Sequence, residues 1–268
     1  MKTVILLKDR VFELRKAEGL TQQQLGEVLG LTSKSISMLE SGGRSTTIDK
    51  LVILAEHFHV STDYLREDMD LLDCDTGGGE FLRSLGHPAE RTAATEGYPP
   101  NVRLCQEALL PLGFDFRECA APSAVPFPDE SFDIILNRHG AFDPQELFRL
   151  LRPGGLFLTE QVGEDNDRDL VERVLPGTPK PFPHMNLREQ RAAFERAGFQ
   201  ILRGEEVYRP ILFYDTGAFV WFARIIEWEF PGFSVDRCFD RLRAVQEEIQ
   251  RDGRVQGTIH RYLIIARK

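Results

Sequence analysis

From residue 70 onward, short apolar segments alternate with amphipathic helical patterns, and this alternation constrains the fold more than any other feature. Seven segments have the length and the side chains of β-strands: DLLDC, RTAATE, DFREC, FDIILN, GLFLTEQV, FQILRGEEVY and YLIIAR. Strands that alternate with helices predict an α/β fold with a mainly parallel sheet. Ligands of such folds bind at the carboxyl ends of the strands.

Residues 4–66 follow a different pattern, which predicts a series of short helices. The second of these, TQQQLGEVL, begins after Thr21 and has Gln24 at the capping-box position. A third begins at Thr32 or Ser33, IDKLVILAEHF forms a fourth, and VSTDYLR supplies a short fifth. Two short helices around a tight turn predict a helix-turn-helix whose inward-facing side chains are Leu25, Val28, Leu31 and Ile36.

The segment LRKAEGLTQQQLGEVLGLTSKSISMLESGGRSTTIDKLVILAEHFHVSTDYL resembles Cro/repressor-type DNA-binding domains along nearly its whole length. The resemblance implies that double-stranded DNA is a partner and that the third helix enters the major groove. On that helix, Ser33, Lys34 and Ser37 would face base edges or nearby phosphates. Gln22 and Arg44 would contact the DNA backbone. The alternative is that these polar residues form only a solvent-exposed helix face with no ligand.

Charge is unevenly distributed along the chain. The net charge is −9, whereas residues 1–66 carry nine Lys and Arg residues against eight Asp and Glu residues, a balance of +1. Nucleic-acid binding is therefore expected near the N-terminus, and dimerisation to a homodimer would compensate for the weak charge by doubling the contacts. We predict a helix-turn-helix domain over residues 1–67 and an α/β domain over residues 68–268.

A glycine loop, DCDTGGG, follows the first strand of the α/β region and precedes the helix EFLRSL. Glycine lets the backbone approach a ligand closely because it has no Cβ. Glu96 ends the second strand, where a carboxylate can accept hydrogen bonds from both hydroxyls of a ribose. These residues predict a nucleotide-like cofactor, either NAD or S-adenosylmethionine.

The order of the later segments resembles that of class I S-adenosylmethionine-dependent methyltransferases over about residues 70–268. The resemblance is carried by FDIILNRHGAF and LFRLLRPGGLFLTEQVG, together with TEGYPPN and WEFPGFSV. It implies a Rossmann-like sheet of seven strands with a terminal antiparallel hairpin, and S-adenosyl-L-methionine as the cofactor. The methyl acceptor is unidentified, and the acidic charge of this region favours a small molecule over nucleic acid.

The resemblance also implies site residues. His139, after the fourth strand, is the candidate catalytic base because an imidazole titrates near neutral pH, although it could equally serve to hydrogen-bond neighbouring backbone. The implied cofactor-binding residues are Asp73, Asp75, Thr76, Gly77, Gly78, Gly79, Glu96, Tyr98 and Asn137.

Three departures from the methyltransferase pattern leave a second function open. Asp75 stands where the first glycine of a G-x-G-x-G run is expected, and residues 120–122 lack an aspartate that would contact the adenine amine. The helical lead-in that usually precedes the first strand of related methyltransferases is replaced here by the helix-turn-helix. A charge at Asp75 would oppose the carboxylate of the cofactor. The alternative is a transcriptional regulator whose methyltransferase-like domain senses a ligand without catalysis.

Other features indicate a cytoplasmic protein without metal sites. The four cysteines are widely spaced and form no C-x-x-C pair, so no metal site is predicted. No apolar run approaches the roughly 20 residues that span a bilayer, and MKTVILLKDR becomes charged too early for a secretory signal. The aromatic segment FYDTGAFVWFARIIEWEFPGFSV is expected to form core more than an acceptor pocket.

Overall fold

The computed structural model describes residues 7–43, 50, 54, 57, 58 and 69–268. The chain divides into two compact units, residues 1–121 with 132–134 and residues 122–131 with 135–268. The helices are α1 Leu7–Ala17, α2 Gln22–Leu29, α3 Ser33–Glu40, α4 Glu80–Ser84, α5 Pro99–Ala108, α6 Pro144–Leu150, α7 Arg168–Val174, α8 Leu187–Arg196, α9 Thr216–Ile225 and α10 Phe239–Asp252. The strands are β1 Leu71–Cys74, β2 Thr92–Glu96, β3 Asp115–Glu118, β4 Phe132–Arg138, β5 Leu151–Val162, β6 Gln200–Phe213 and β7 Val255–Arg267.

Local sequence signals set the ends of the N-terminal helices. The Thr21 hydroxyl accepts a hydrogen bond from the Gln24 amide, and the Gln24 side chain bonds back to the Thr21 amide, so the predicted capping box is present. Gly30 ends α2 in the left-handed conformation at φ 62°. Thr32 caps α3 through a hydrogen bond to the Ser35 amide. The predicted fifth helix and most of the fourth lie outside the described residues.

The helical core differs from the prediction at one residue. Leu25 and Ile36 are fully buried as predicted, and Leu31 packs against them while partly exposed. Val28 was predicted to face inward, but it is 37% exposed, and Leu29 takes its place in the core. Leu29 lies four residues after Leu25, on the same face of α2, and belongs to the same buried cluster as Leu25 and Leu39.

The seven strands follow the order β3-β2-β1-β4-β5-β7-β6. Strands β1, β2 and β3 pair in parallel, with Leu71 opposite Thr92 and Ala93 opposite Asp115. Strand β7 is antiparallel to both β5 and β6, which gives the predicted terminal hairpin. The predicted fold class is confirmed, and the predicted domain boundary at residues 67 and 68 falls among residues outside the described part of the chain.

The last strands are longer than their sequence patterns indicate. Strand β5 begins at Leu151, so it includes the proline and the first glycine that precede the predicted strand GLFLTEQV. Strands β6 and β7 pair from Gln200–Arg267 to Phe213–Val255, with a bulge between Ile201 and Arg203. Each strand of this hairpin is held by hydrogen bonds to the other strand. Its polar segments are therefore extended although apolar and polar residues alternate only weakly in their sequence.

The aromatic segment between β6 and β7 is divided between core and surface. Phe219 and Phe230 are buried in a cluster with α7 and α10 residues, as expected of a core segment. Trp221 and Trp228 are 68% and 56% exposed. Helix α9 therefore has an apolar side chain on its outer face as well as on its inner face.

Candidate functional site

The glycine loop begins where β1 ends, in the first compact unit. Asp73 is buried, and its carboxylate accepts a 2.7 Å hydrogen bond from the Thr76 hydroxyl. The Thr76 amide donates to the Thr95 carbonyl on β2 at 3.0 Å, and the Gly79 amide closes a turn on the Thr76 carbonyl at 3.3 Å. The loop is therefore fixed to the two strands whose carboxyl ends it covers.

Three residues of the loop adopt the left-handed conformation: Asp75 at φ 53°, Gly77 at φ 68° and Gly79 at φ 80°. Glycine adopts this conformation at no steric cost, whereas most other residues are strained by it. Asp75 thus occupies a position that has the backbone conformation of the expected glycine. Aspartate and asparagine are the residues that best tolerate this substitution.

The loop glycines have different neighbours. A Cβ on Gly77 would enter open space, so its side is free for a ligand to approach the backbone. A Cβ on Gly79 would lie 2.9 Å from the Leu109 side chain, so this glycine permits close packing. Gly97 is absent from the predicted site residues, yet a Cβ there would lie 2.6 Å from the Cys119 backbone carbonyl, so only glycine fits. The sequence feature that could have identified it is its position directly after Glu96.

Glu96 is buried, and its carboxylate is the centre of the hydrogen-bond network under the loop. One oxygen accepts from the amides of Gly97 and Tyr98, both at 2.8 Å. The other accepts from the Gly77 amide at 2.8 Å and from the Asn101 side chain at 3.3 Å. A carboxylate offers about four lone-pair positions. A ribose hydroxyl would therefore have to replace one of these donors, and the long bond from Asn101 is the weakest.

Tyr98 and Cys105 are also hydrogen-bonded to this site, Tyr98 to Glu96 and Cys105 to the glycine loop. Tyr98 precedes α5 and is 62% exposed, so its ring is accessible. Cys105 on α5 is buried, and its thiol donates to the Gly77 carbonyl at 3.0 Å. Burial, followed by the negative charge of Glu96, raises the pKa of the Cys105 thiol to about 11. The thiol therefore stays protonated at neutral pH and keeps this hydrogen bond.

Asn137 is the penultimate residue of β4, lies in the second compact unit and is fully buried. Its side-chain oxygen accepts from the Gln161 amide at 2.6 Å and lies 3.4 Å from the Thr159 hydroxyl. Gln161 also bonds to the Gly140 carbonyl at 3.2 Å. This network joins the ends of β4 and β5, and neither Thr159 nor Gln161 was predicted from the sequence.

His139 follows β4 in the left-handed conformation, at φ 62°. Its backbone amide donates to the Glu160 carbonyl at 3.0 Å, which fixes the residue beside β5. Burial of the ring lowers the pKa of His139, the charges of Arg261 and Arg138 add to this effect, and Glu160 opposes it. A lowered pKa keeps the imidazole neutral at pH 7, which is the form that can accept a proton.

On α3, the predicted DNA-contacting residues Ser33, Lys34 and Ser37 are exposed. Gln22 is partly buried, and its side chain donates to a Glu40 oxygen at 2.8 Å, so the structure places it against the protein. Arg44 lies outside the described residues.

The packing of α1 against α3 rests on an ion pair. Arg15 and Glu40 form two hydrogen bonds of 2.5 and 2.9 Å, and each side chain is 5% exposed. Arg15 also donates to the Leu20 carbonyl at 2.8 Å. Burial alone would raise the pKa of Glu40, but the hydrogen bonds from Arg15 and Gln22 outweigh it, and the pKa is lowered. Both groups are therefore charged at neutral pH.

Within the described ranges, no cluster of three or more His, Cys, Asp or Glu side chains is placed to hold a metal ion. Among those same residues, no helix has the length and apolar content to cross a membrane.

The strand order and the loop after β1 define a Rossmann-like methyltransferase fold. A Bacillus halodurans protein assigned as a methyltransferase has this fold, with a TM-score of 0.51 and 18% identity over 75% of this chain and 92% of its own. A family model described as a methyltransferase domain matches residues 72–159, and one described as helix-turn-helix matches residues 11–65. The chain thus joins a helix-turn-helix domain to a methyltransferase domain, as the two resemblances indicated.

Curated relatives match each part separately. The phthiotriol/phenolphthiotriol dimycocerosates methyltransferase of Mycobacterium tuberculosis is 33% identical over 40% of this chain and 42% of its own. The fatty-acid O-methyltransferase of Mycolicibacterium smegmatis is 30% identical over 50% of this chain and 47% of its own. The HTH-type transcriptional regulator YobD of Bacillus subtilis is 43% identical over 21% of this chain and 50% of its own. The chain spans about half the length of these relatives, or less.

Proposed function

We propose that the chain is an S-adenosylmethionine-dependent methyltransferase of a small-molecule acceptor that also binds double-stranded DNA through its N-terminal domain. The observation that carries the cofactor assignment is the loop after β1. Its backbone adopts left-handed conformations at Asp75, Gly77 and Gly79, and the Gly77 side is open. Glu96 ends the neighbouring strand beneath it.

These residues fit the cofactor. The loop from Asp73 to Gly79 would hold its amino-acid part, Glu96 the ribose and Tyr98 the adenine. Asn137 would act less directly, because its oxygen is already bound to Gln161 and holds the end of β4 in place. When bound, S-adenosylmethionine supplies an electrophilic methyl group on a sulfonium sulfur.

The protein's part in methyl transfer is to align the acceptor and to accept its proton. His139 is our candidate for the proton acceptor, since its pKa is lowered and its backbone is fixed by Glu160. A change of His139 to Gln should leave cofactor affinity unaltered and lower the rate of methyl transfer by tenfold or more. Equal rates of methyl transfer for the variant and the wild-type chain would show that His139 is not the proton acceptor.

Isothermal titration calorimetry of the full chain with S-adenosylmethionine and with S-adenosylhomocysteine tests the cofactor assignment. We expect binding of both, weakened at least tenfold by Glu96→Ala, because that change removes the acceptor of three backbone amides as well as of the ribose. Glu90→Ala, on the segment before β2, is the matched control. Absence of heat at millimolar ligand would refute cofactor binding in any form.

DNA binding is supported by the helix-turn-helix match and by the exposure of Ser33, Lys34 and Ser37 on α3. The near-neutral charge of this domain favours a homodimer that doubles its phosphate contacts. Lys34→Glu should abolish operator binding in a gel-shift titration, whereas Lys16→Glu, an equal charge change on the exposed face of α1, should lower affinity only slightly. Equal effects of the two changes would contradict α3 as the recognition helix.

The acceptor class is suggested by the names of two relatives, a fatty-acid O-methyltransferase and a phthiotriol/phenolphthiotriol dimycocerosates methyltransferase, neither of which names a nucleic acid or a protein as acceptor. Fractionated cell extract with methyl-labelled S-adenosylmethionine would identify the acceptor. One observation favours a non-catalytic ligand sensor instead: Asp75 holds a charged side chain at the glycine position. Ligand-dependent DNA binding without label transfer to any fraction would establish that second function.

A further inference from the structure

Two acidic side chains are buried in the second compact unit without complete hydrogen bonding. Asp167 follows β5 and is 2% exposed, and Glu229 follows α9 and is 3% exposed. One oxygen of each carboxylate, Asp167 Oδ1 and Glu229 Oε2, has no hydrogen-bond partner among the described residues, and neither has Arg168 Nη1. The unsatisfied atoms are therefore two acceptors and one donor, and the charge of Asp167 acts on Glu229.

The other atoms of these side chains are held firmly. The second Asp167 oxygen accepts from the Asn166 amide at 2.6 Å. The second Arg168 nitrogen, Nη2, donates to the Thr178 carbonyl. Arg168 Nη1 lies 3.9 Å from Glu229 Oε2, which is too far for a direct hydrogen bond but short enough for one bridging oxygen at about 2.8 Å from each atom.

The arrangement is unfavourable as a purely structural element. Burial raises the pKa of Asp167 to about 6, and burial with the charge of Asp167 raises that of Glu229 to about 7. Buried polar atoms without partners destabilise a fold. Asparagine and glutamine have the same shape as aspartate and glutamate and would bury no charge at these two positions. Groups that lower stability in this way are typical of sites that bind a ligand.

The unsatisfied atoms define the chemistry of the group that would fit them. Two carboxylate oxygens and one guanidinium N–H call for an atom that both donates and accepts hydrogen bonds. A hydroxyl oxygen meets this requirement: it accepts from Arg168, and it donates to one carboxylate while the other carboxyl, in its protonated form, donates to it. Water meets it as well. A metal ion does not, because the guanidinium would repel it.

Arg261 connects this region to the candidate base. Its guanidinium bonds to the Asn166 side-chain oxygen at 2.6 Å, and its charge acts on Asp167, on Glu229 and on His139. The unsatisfied atoms and the His139 imidazole therefore lie within electrostatic range of one guanidinium. A hydroxyl bound here and the group proposed to accept its proton would therefore be exposed to the same positive charge.

We propose that Asp167, Arg168 and Glu229 form the recognition site for a hydroxyl group of the methyl acceptor, and that one water molecule occupies it when the acceptor is absent. The acceptor role rests on the proposed methyltransferase function. The presence of a bound water does not depend on that function, so the acceptor role and the water site can be refuted separately.

A crystal structure of the full chain with S-adenosylhomocysteine tests the site itself. We expect one ordered oxygen within 3.2 Å of Asp167 Oδ1, Arg168 Nη1 and Glu229 Oε2. A direct hydrogen bond between Arg168 and Glu229 with no bridging oxygen would overturn the proposal. A bridging oxygen in a chain that binds neither cofactor in calorimetry would preserve the site and refute the proposed function.

Neutral isosteric variants separate a binding role from a structural one. Asp167→Asn suits the left-handed backbone at φ 55°, and Glu229→Gln removes a poorly satisfied charge, so both should raise Tm at pH 8. Glu227→Gln, an exposed carboxylate on the same turn, should leave Tm unchanged. A lower Tm in both isosteric variants would show that the pair is structural and would overturn the proposal.

Methyl transfer provides the functional measurement. With the extract fraction that takes label from the wild-type chain, Glu229→Gln should lower kcat/KM for the acceptor by tenfold or more, mainly through KM, while the Kd for S-adenosylmethionine stays within twofold. Unchanged kcat/KM would overturn the acceptor role. If no fraction takes label from the wild-type chain, the proposed methyltransferase activity fails, and the bridging oxygen alone decides the water site.

Discussion

Replacing Glu40 with glutamine should destabilise the helix-turn-helix domain far more than a typical polar substitution. The change leaves the Arg15 guanidinium buried without a countercharge, and both of its hydrogen bonds to Glu40 lose their charge. Removing one partner of such a buried pair costs about 3–5 kcal/mol. A domain of this size has about 3–9 kcal/mol of stability in total. We therefore expect a large unfolded fraction of this domain at 37 °C.

The same pair makes the stability of the domain depend on pH. The folded pKa of Glu40 is lowered, so the pair's contribution is present above the unfolded pKa of about 4.3 and is lost as pH falls through the folded value. The wild-type domain should lose stability in acid over this window. The Glu40→Gln variant should lack that part of the acid dependence, because it has no carboxyl to protonate.

Urea denaturation of the full chain, followed by circular dichroism at 222 nm, is the measurement. Glu27→Gln on the exposed face of α2 is the control, with an expected change under about 0.5 kcal/mol. The double variant Arg15→Met, Glu40→Leu should recover most of the loss, since an apolar pair of similar volume leaves no buried charge. Equal midpoints for Glu40→Gln and Glu27→Gln would refute the reasoning.

Three further outcomes are expected. Asp75→Gly should relieve a left-handed residue that costs roughly 1 kcal/mol, which raises stability, and should remove a charge near the cofactor carboxylate, so calorimetry should show tighter binding of S-adenosylmethionine; weaker binding would contradict this. Gly97→Ala should lower the Tm of the methyltransferase domain in differential scanning calorimetry, because its Cβ would lie 2.6 Å from a backbone carbonyl; an unchanged Tm would mean that the loop moves freely. The raised pKa values of Asp167 and Glu229, about 6 and about 7, mean that the folded state binds protons more tightly than the unfolded state. Stability should therefore fall as pH rises from about 4 to about 8, by a few kcal/mol at most, and Glu229→Gln should flatten this decline in denaturant midpoints measured across pH.

Features set by neighbouring residues could be predicted from the sequence. The Thr21 capping box and the glycine loop depend on residues within a few positions of one another, and both are present. The seven-stranded, mainly parallel sheet with its terminal antiparallel hairpin followed from the alternation of strands and helices combined with the methyltransferase resemblance. The hydrogen bond between Gly77 and Glu96 joins residues 19 apart, yet the sequence pattern locates both the loop that contains Gly77 and the strand that Glu96 ends.

Features set by distant contacts could not be predicted. The space beside Gly97 is limited by the Cys119 backbone, and the position of this glycine after Glu96 does not reveal that contact. The ion pair between Arg168 and Glu229 joins segments about 60 residues apart, where the sequence shows two ordinary surface residue types. Whether a charged side chain is buried depends on which elements cover it, and that is fixed only by the complete fold.

The two tryptophans of the chain, Trp221 and Trp228, both lie in the segment between β6 and β7, and both are more than half exposed. Tryptophan emission from the intact protein is therefore a spectroscopic label that the sequence itself provides, confined to one region. It should report acceptor binding near Glu229 through a shift or quenching of fluorescence. Operator binding by α3, which belongs to the first compact unit and carries no tryptophan, should leave the spectrum unaltered, so one fluorescence titration can assign a ligand to one domain or the other.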